Sequence, residues 1–156
     1  MTRETSSSST GRVILPAPDL DWLALHQEPI LEPERAIIDP HHHLWDAPRP
    51  RYLRDDIEQD LAAGHDVRAT VFVECSEGYY SDGEEALRPV GETVFAEGVA
   101  AATGGRVCTG IVGYTDLRQG AAVKGVLEAH LEAGKGRFRG IRQSSVWDPD
   151  PNIRTT

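Results

Sequence analysis

The sequence has few cysteines, no excess of positive charge and no long apolar run, and each absence excludes a class of structure or partner. Its two cysteines, Cys75 and Cys108, adjoin apolar runs typical of buried strands, which predicts free thiols rather than a disulfide. A formal charge of −9 disfavours nucleic acid as a partner but leaves room for an anionic small molecule bound by local arginines. Without a membrane-spanning run or a secretory leader, we predict a cytoplasmic protein with no membrane partner.

A glycine-rich phosphate loop is also missing, so nucleotide binding is not predicted. The serine-rich start, residues 1–15, has too few apolar side chains to build a core and predicts a disordered tail. We expect an N-terminal arm at 16–35, held against the body by Trp22, Leu23 and Leu25, followed by one domain over 36–156.

From residue 36 onward the apolar periodicity alternates between strand and helix. We predict strands at about 36–43, 67–75, 107–113 and 138–145, separated by helices near 53–61, after Asp82 and at 122–133. Pro89 leaves the second helix open: it either starts the helix after a short turn or kinks a longer one. The order β-α-β-α-β-α-β predicts an α/β fold with a parallel sheet.

Three consecutive histidines end the first predicted strand. Strict alternation along a strand places Asp39, His41 and His43 on one side and His42 on the other. His41 and His43 can then converge on one ion or one anionic substrate, while His42 is expected to pack or hydrogen-bond. The carboxyl end of parallel strands is where α/β proteins place their chemistry. The alternative is a polar strand end without function.

Four segments, 38–46, 71–75, 110–113 and 138–142, resemble successive strands of the amidohydrolase-related (amidohydrolase 2) family. Members of this family are TIM-barrel lactonases, nonoxidative decarboxylases and other metal-assisted hydrolases. The resemblance covers about residues 20 to 150 and implies a partial (β/α)8 domain with the first four barrel strands. Since a whole barrel needs about 250 residues, it also implies a truncated chain that is inactive alone.

The resemblance also implies roles for individual residues. By matching position, His41 and His43 hold a divalent metal, for which zinc is the expected ion, or contact the substrate directly, and Asp39 supports them. Arg142 is expected to clamp a substrate carboxylate, with a salt bridge at the barrel rim as the alternative. Glu74 either faces the site or forms a structural ion pair. Relatives often carry histidine after this arginine, whereas this chain has Gln143.

The expected activity is hydrolysis of a lactone or a similar carbonyl bond in a carboxylated small molecule. One alternative is metal-dependent nonoxidative decarboxylation on the same barrel. Another, of a different class, is a non-catalytic metal-binding or assembly half-barrel that forms homo-oligomers through its exposed sheet edges.

Overall fold

Four parallel strands form one sheet in the computed structural model, which describes residues 18–46, 50–150 and 152–153. The strands are β1 (Ile37–His42), β2 (Val67–Val73), β3 (Gly110–Gly113) and β4 (Phe138–Ile141). They lie side by side in the order β1-β2-β3-β4. This confirms the predicted α/β fold, and the sequential order is consistent with half of a β/α barrel. The predicted tail, 1–15, lies outside the described residues.

Helices connect the strands as the periodicity predicts. A short helix, α1 (Leu20–Leu23), precedes β1, and the connecting helices are α2 (Arg54–Leu61), α3 (Val90–Ala102) and α4 (Val123–Ala133). A 3-10 turn at Glu85–Leu87 precedes Pro89, which caps the start of α3. The helix therefore begins at the proline and is not kinked by it. β3 is shorter than predicted because Cys108 has a φ of 53°, a left-handed conformation that cannot continue a strand.

The core lies between the helices and one face of the sheet. Register pairs Phe72 with Ile111, and Ile111 with Phe138, and all three side chains are buried on this face. On the opposite face, Ile38 is 66% exposed, and its partner Ala69 is partly exposed. Among the residues that the structure describes, no second layer covers this face. The sheet is thus packed on one side and open on the other, as the half-barrel prediction requires.

The N-terminal arm is attached differently from the prediction. Trp22, Leu23 and Leu25 are between 54% and 79% exposed, so the prediction that they hold the arm against the body is wrong. Ile30 makes the contact instead, with its Cδ1 lying 2.8 Å from the position that a Cβ would take on Gly64. Amphipathic spacing identified apolar side chains in the arm but did not identify Ile30, which packs against Gly64.

Two glycines of α3 offer a matched test of how closely the loop after β2 packs on this helix. A Cβ at Gly91 would overlap the carbonyl oxygen of Gly78 and lie 2.8 Å from the backbone nitrogen of Tyr80, whereas a Cβ at Gly98 meets no atom within 4 Å. We expect Gly91→Ala to lower the free energy of unfolding by about 1–3 kcal/mol. Gly98→Ala should raise it by about 0.5–1 kcal/mol, because alanine is the better helix former. Urea unfolding measures both, and equal effects would contradict the close packing.

Candidate functional site

His41 and His43 meet at the carboxyl end of β1, as the sequence predicts. Their Nε2 atoms are 3.2 Å apart, and the rings lie edge to face at an interplanar angle of 84°. His41 is exposed and His43 is half-buried, so the pair borders solvent. Two imidazole nitrogens therefore face one point at the edge of the sheet where the other strands also end.

The ring of His43 is fixed by two neighbours. Its Nδ1 donates a hydrogen bond of 2.7 Å to the carbonyl oxygen of Val73, and the Trp45 indole stacks on its face at 5.3 Å. With the proton on Nδ1, the neutral ring presents the lone pair of Nε2 towards His41. Burial, together with the nearby charges of His41 and Arg142, lowers the pKa of His43, although the Val73 carbonyl and Glu74 act in the opposite direction. The environment thus favours the form that can bind a metal or accept a proton.

A bulge in β1 alters the predicted alternation. Register aligns Asp39 with Thr70 and His42 with Phe72, so three steps along β1 match two along β2. Asp39 therefore falls in register with the face that carries His42, and its predicted grouping with His41 and His43 is wrong. Its carboxylate still supports the site locally, because Oδ1 accepts the backbone N–H of His41 at 3.0 Å.

His42 is a core residue, in agreement with its predicted packing role. Its Nε2 lies 2.9 Å from the Thr70 hydroxyl, and its ring packs edge to face on Phe72. The same hydroxyl accepts the backbone N–H of Cys108 at 3.0 Å, so it joins β1 to the segment that precedes β3. Burial lowers the pKa of His42. Cys75 and Cys108 are buried thiols that form no disulfide, as predicted for both.

Glu74 and Arg142, predicted on separate strands, form one ion pair. Arg142 donates from Nε to Glu74 Oε1 at 2.7 Å and from Nη2 to the Glu74 carbonyl oxygen at 2.6 Å. The Glu74 side chain is 12% exposed and that of Arg142 is 41% exposed. Glu74 thus occupies the edge of the guanidinium group that carries Nε and one hydrogen of Nη2. Among the described residues, Nη1 and the second Nη2 hydrogen are left for a ligand. The salt-bridge alternative is thus confirmed for both residues, and the carboxylate clamp of Arg142 stays a prediction.

Gln143 ties down a neighbouring loop. Its Oε1 accepts the backbone N–H of Leu117 at 2.8 Å, and its Nε2 donates to Asp116 Oδ1 at 3.1 Å. Gln143 therefore holds the loop after β3 in place.

The histidine pair fits two ligands of a tetrahedral metal ion. Two nitrogens at about 2.0–2.1 Å from zinc lie about 3.3 Å apart at a tetrahedral angle, close to the 3.2 Å found here. The bond from His43 Nδ1 to a carbonyl is the usual second interaction of a metal-bound imidazole. Within 18–46, 50–150 and 152–153, no group of three histidine, cysteine or acidic side chains could hold an ion. The described residues therefore supply at most part of a ligand set.

Zinc binding by this pair can be measured on the chain itself. Because an ion that binds only the folded state stabilises it, Zn²⁺ at 100 times its Kd should raise the free energy of unfolding by about 2.7 kcal/mol. His41→Ala and His43→Ala should abolish the rise. His65→Ala, an exposed histidine just before β2, should leave it unchanged. An equal rise in all four proteins, measured by chemical denaturation, would assign the ion to another place.

Sequence reasoning missed Glu92, which lies next to the site. Its side chain is fully buried, and Oε1 accepts the backbone N–H groups of Cys75 and Glu77 at 2.8 and 2.9 Å. Oε2 has no partner among the described residues. Burial raises the pKa of Glu92 to about 7. The available signal was its spacing: Glu92 precedes the buried Ala96 by four residues, so an acid sits on the apolar face of α3.

Comparison with known proteins gives a relative without an assigned activity. The chain is 34% identical over 131 residues to the uncharacterized protein y4mH of Sinorhizobium fredii, a match that covers 74% of this chain and 42% of that protein. The chain thus spans less than half the length of this curated relative. No protein-family model and no solved structure matches the chain. In the described part of the chain, no helix is long and apolar enough to cross a membrane.

Proposed function

We propose that the chain carries the histidine half of a hydrolase of the amidohydrolase-related type, which opens a lactone or similar carbonyl bond in a carboxylated small molecule. The observation that carries this proposal is the 3.2 Å approach of His41 Nε2 and His43 Nε2 at the carboxyl end of the sheet. The exposed guanidinium of Arg142 lies close enough for its charge to lower the pKa of His43. A carbonyl-activating pair and a carboxylate-binding group therefore share one neighbourhood.

Each residue has a distinct task in this proposal. His41 and His43 polarise the substrate carbonyl, or hold a divalent ion for which zinc is the expected choice. When bound, such an ion lowers the pKa of a coordinated water towards about 7. Arg142 grips the substrate carboxylate with the free end of its fork, while Glu74 keeps the guanidinium oriented.

The reaction is a hydrolysis in which water adds to the carbonyl carbon and the ring carbon–oxygen bond breaks. The product is a hydroxy acid with one more carboxylate than the substrate. Asp39 is the one acid of β1 beside the histidines, but its carboxylate is bonded to backbone. We therefore assign it support of His41 rather than the part of general base.

Two other functions use the same features. Nonoxidative decarboxylation would employ the same histidines and arginine. An assembly module is favoured by a different observation, the open sheet face on which Ile38 is 66% exposed, which a second chain joined at the sheet edges would cover.

Product analysis separates these functions. The full-length protein is offered a panel of carboxylated lactones and carboxylated aromatic acids, with acid release followed by pH-stat and carbon dioxide collected in parallel. Acid release without carbon dioxide supports the hydrolase, and carbon dioxide supports the decarboxylase. A protein that releases neither product but sediments as a dimer supports the assembly module.

A further inference from the structure

We propose that Glu92 is a positioning residue that orients Arg142 through the peptide group between Glu74 and Cys75. The carbonyl oxygen of this peptide accepts Arg142 Nη2 at 2.6 Å, and its N–H donates to Glu92 Oε1 at 2.8 Å. Because a peptide group is planar and rigid, a bond on one side fixes the direction of the group on the other. The carbonyl that holds Arg142 therefore faces it only while Glu92 holds the N–H.

The turn after β2 is shaped around the Glu92 carboxyl. Ser76 has a φ of 68°, a left-handed conformation that costs a non-glycine residue roughly 1–2 kcal/mol. This conformation lets the N–H groups of Cys75 and Glu77 point at the same oxygen, at 2.8 and 2.9 Å. Successive N–H groups arranged in this way form an anion-binding nest. Here a side chain of the same molecule occupies the nest.

The free-energy cost of burying the Glu92 side chain completely must be offset by favourable contacts. Burying an acid is costly, and the Glu74 charge adds to the cost by further raising the pKa of Glu92. Burial raises the pKa of the Tyr79 phenol, and the charge of the nearby Glu92 raises it further. The two backbone bonds and the weak Cys75 thiol donor act in the opposite direction. An apolar side chain at position 92 would avoid the cost but would release both N–H groups.

The role of Glu92 in binding a substrate rests on the proposed hydrolase, but the main test observes the Arg142 side chain directly by NMR. In ¹⁵N-labelled chain, the Arg142 Nε–Hε signal, assigned with Arg142→Lys, reports the bond to Glu74, and the Cys75 and Glu77 amides report the nest. Three variants are compared: Glu92→Leu, Glu92→Gln and Glu97→Gln. Glu97 lies on the same helix and pairs with Lys135 at 3.0 Å on the far side of this contact network, so its variant is the matched control.

In Glu92→Leu we expect all three signals to shift, and the Arg142 Nε–Hε proton to exchange with solvent about tenfold faster, which corresponds to loss of about one hydrogen bond. Glu92→Gln keeps an acceptor oxygen and should preserve the Arg142 signal, and Glu97→Gln should match the wild type. In the full-length enzyme, Glu92→Leu should raise KM for a carboxylated substrate about tenfold and change kcat less than twofold.

If Glu92→Leu does not fold, a second measurement tests the same inference on the wild type and Glu92→Gln. Titrating the wild type from pH 5 to 9 should move the Cys75 and Glu77 amides and the Arg142 Nε–Hε signal with one common midpoint, and this movement should be missing in Glu92→Gln. If the two amides move while Arg142 does not, Glu92 only holds the turn and the inference fails. If Arg142 moves but no lactone is hydrolysed, the inference stands and the proposed function fails.

Discussion

His41→Ala and His43→Ala are each expected to lower kcat/KM of the full-length protein for a carboxylated lactone by about 10²–10⁴, the usual contribution of a group that acts directly on the reacting carbonyl. Both Nε2 atoms face the same point, 3.2 Å from each other, so either substitution removes one of the two contacts that this pair offers to the carbonyl or the ion. Steady-state kinetics of purified variants measures the loss.

The two histidines should also behave as one unit. The double variant is expected to lose little more activity than either single variant, because groups that act together in one site are strongly non-additive. His65→Ala provides the control, since His65 is exposed and precedes β2 at the opposite end of the sheet. Turnover that survives undiminished in both single variants would remove the site from these residues.

In the wild type, protonation of Glu92 is expected to make the free energy of unfolding about 3 kcal/mol higher at pH 4.5 than at pH 7. Glu92→Gln should abolish this dependence on pH. Burial raises the pKa of Glu92 from 4.5 to about 7, so the folded chain keeps a proton that the unfolded chain has released. The stability that this proton contributes is fully present below pH 4.5 and is lost as the pH rises to about 7. The difference between a pKa of 4.5 and one of about 7 corresponds to about 3 kcal/mol.

The measurement is the difference in free energy of unfolding between the wild type and Glu92→Gln, taken by urea denaturation at several pH values. The difference should decline with pH across this window and stay level above it. Glu97→Gln removes an acid from the same helix at a site paired with Lys135, and its difference from the wild type should decline much less. A difference for Glu92→Gln that is flat or increases with pH contradicts the burial argument.

The parts of the site that could be predicted from the sequence are those fixed by strand direction. Parallel strands end at one edge, so His43 after β1 and Arg142 after β4 were expected at the same edge, and Glu74, whose place was left open, lies there with them. Helices α2 to α4 followed from apolar spacing in the same way. These are properties of chain periodicity, which each segment carries in its own sequence.

The remaining features depend on contacts between segments. The position of Asp39 could not be foreseen, because the bulge arises from how β1 pairs with β2. Glu92 looked like an ordinary acid in the first turn of a helix, a favourable place for a negative charge. The packing of the turn at Ser76 against α3 buries it, and its spacing to Ala96 was the one sign of this in the sequence. Exposure of Trp22 likewise depends on what lies opposite it.

Because β1 has an additional residue between Asp39 and His42, the number of residues between these two positions shows whether a related chain has the same bulge. Pro40 has no N–H to give to a ladder, so this is a natural place for a strand to skip a pairing step. A homologue that lacked one residue here would pair β1 with β2 without the bulge, and its equivalents of Asp39 and His42 would keep their register with Thr70 and Phe72. When related chains are aligned, a one-residue gap between Asp39 and His42 therefore marks the loss of the bulge, whereas the same gap in the arm marks only a change of length.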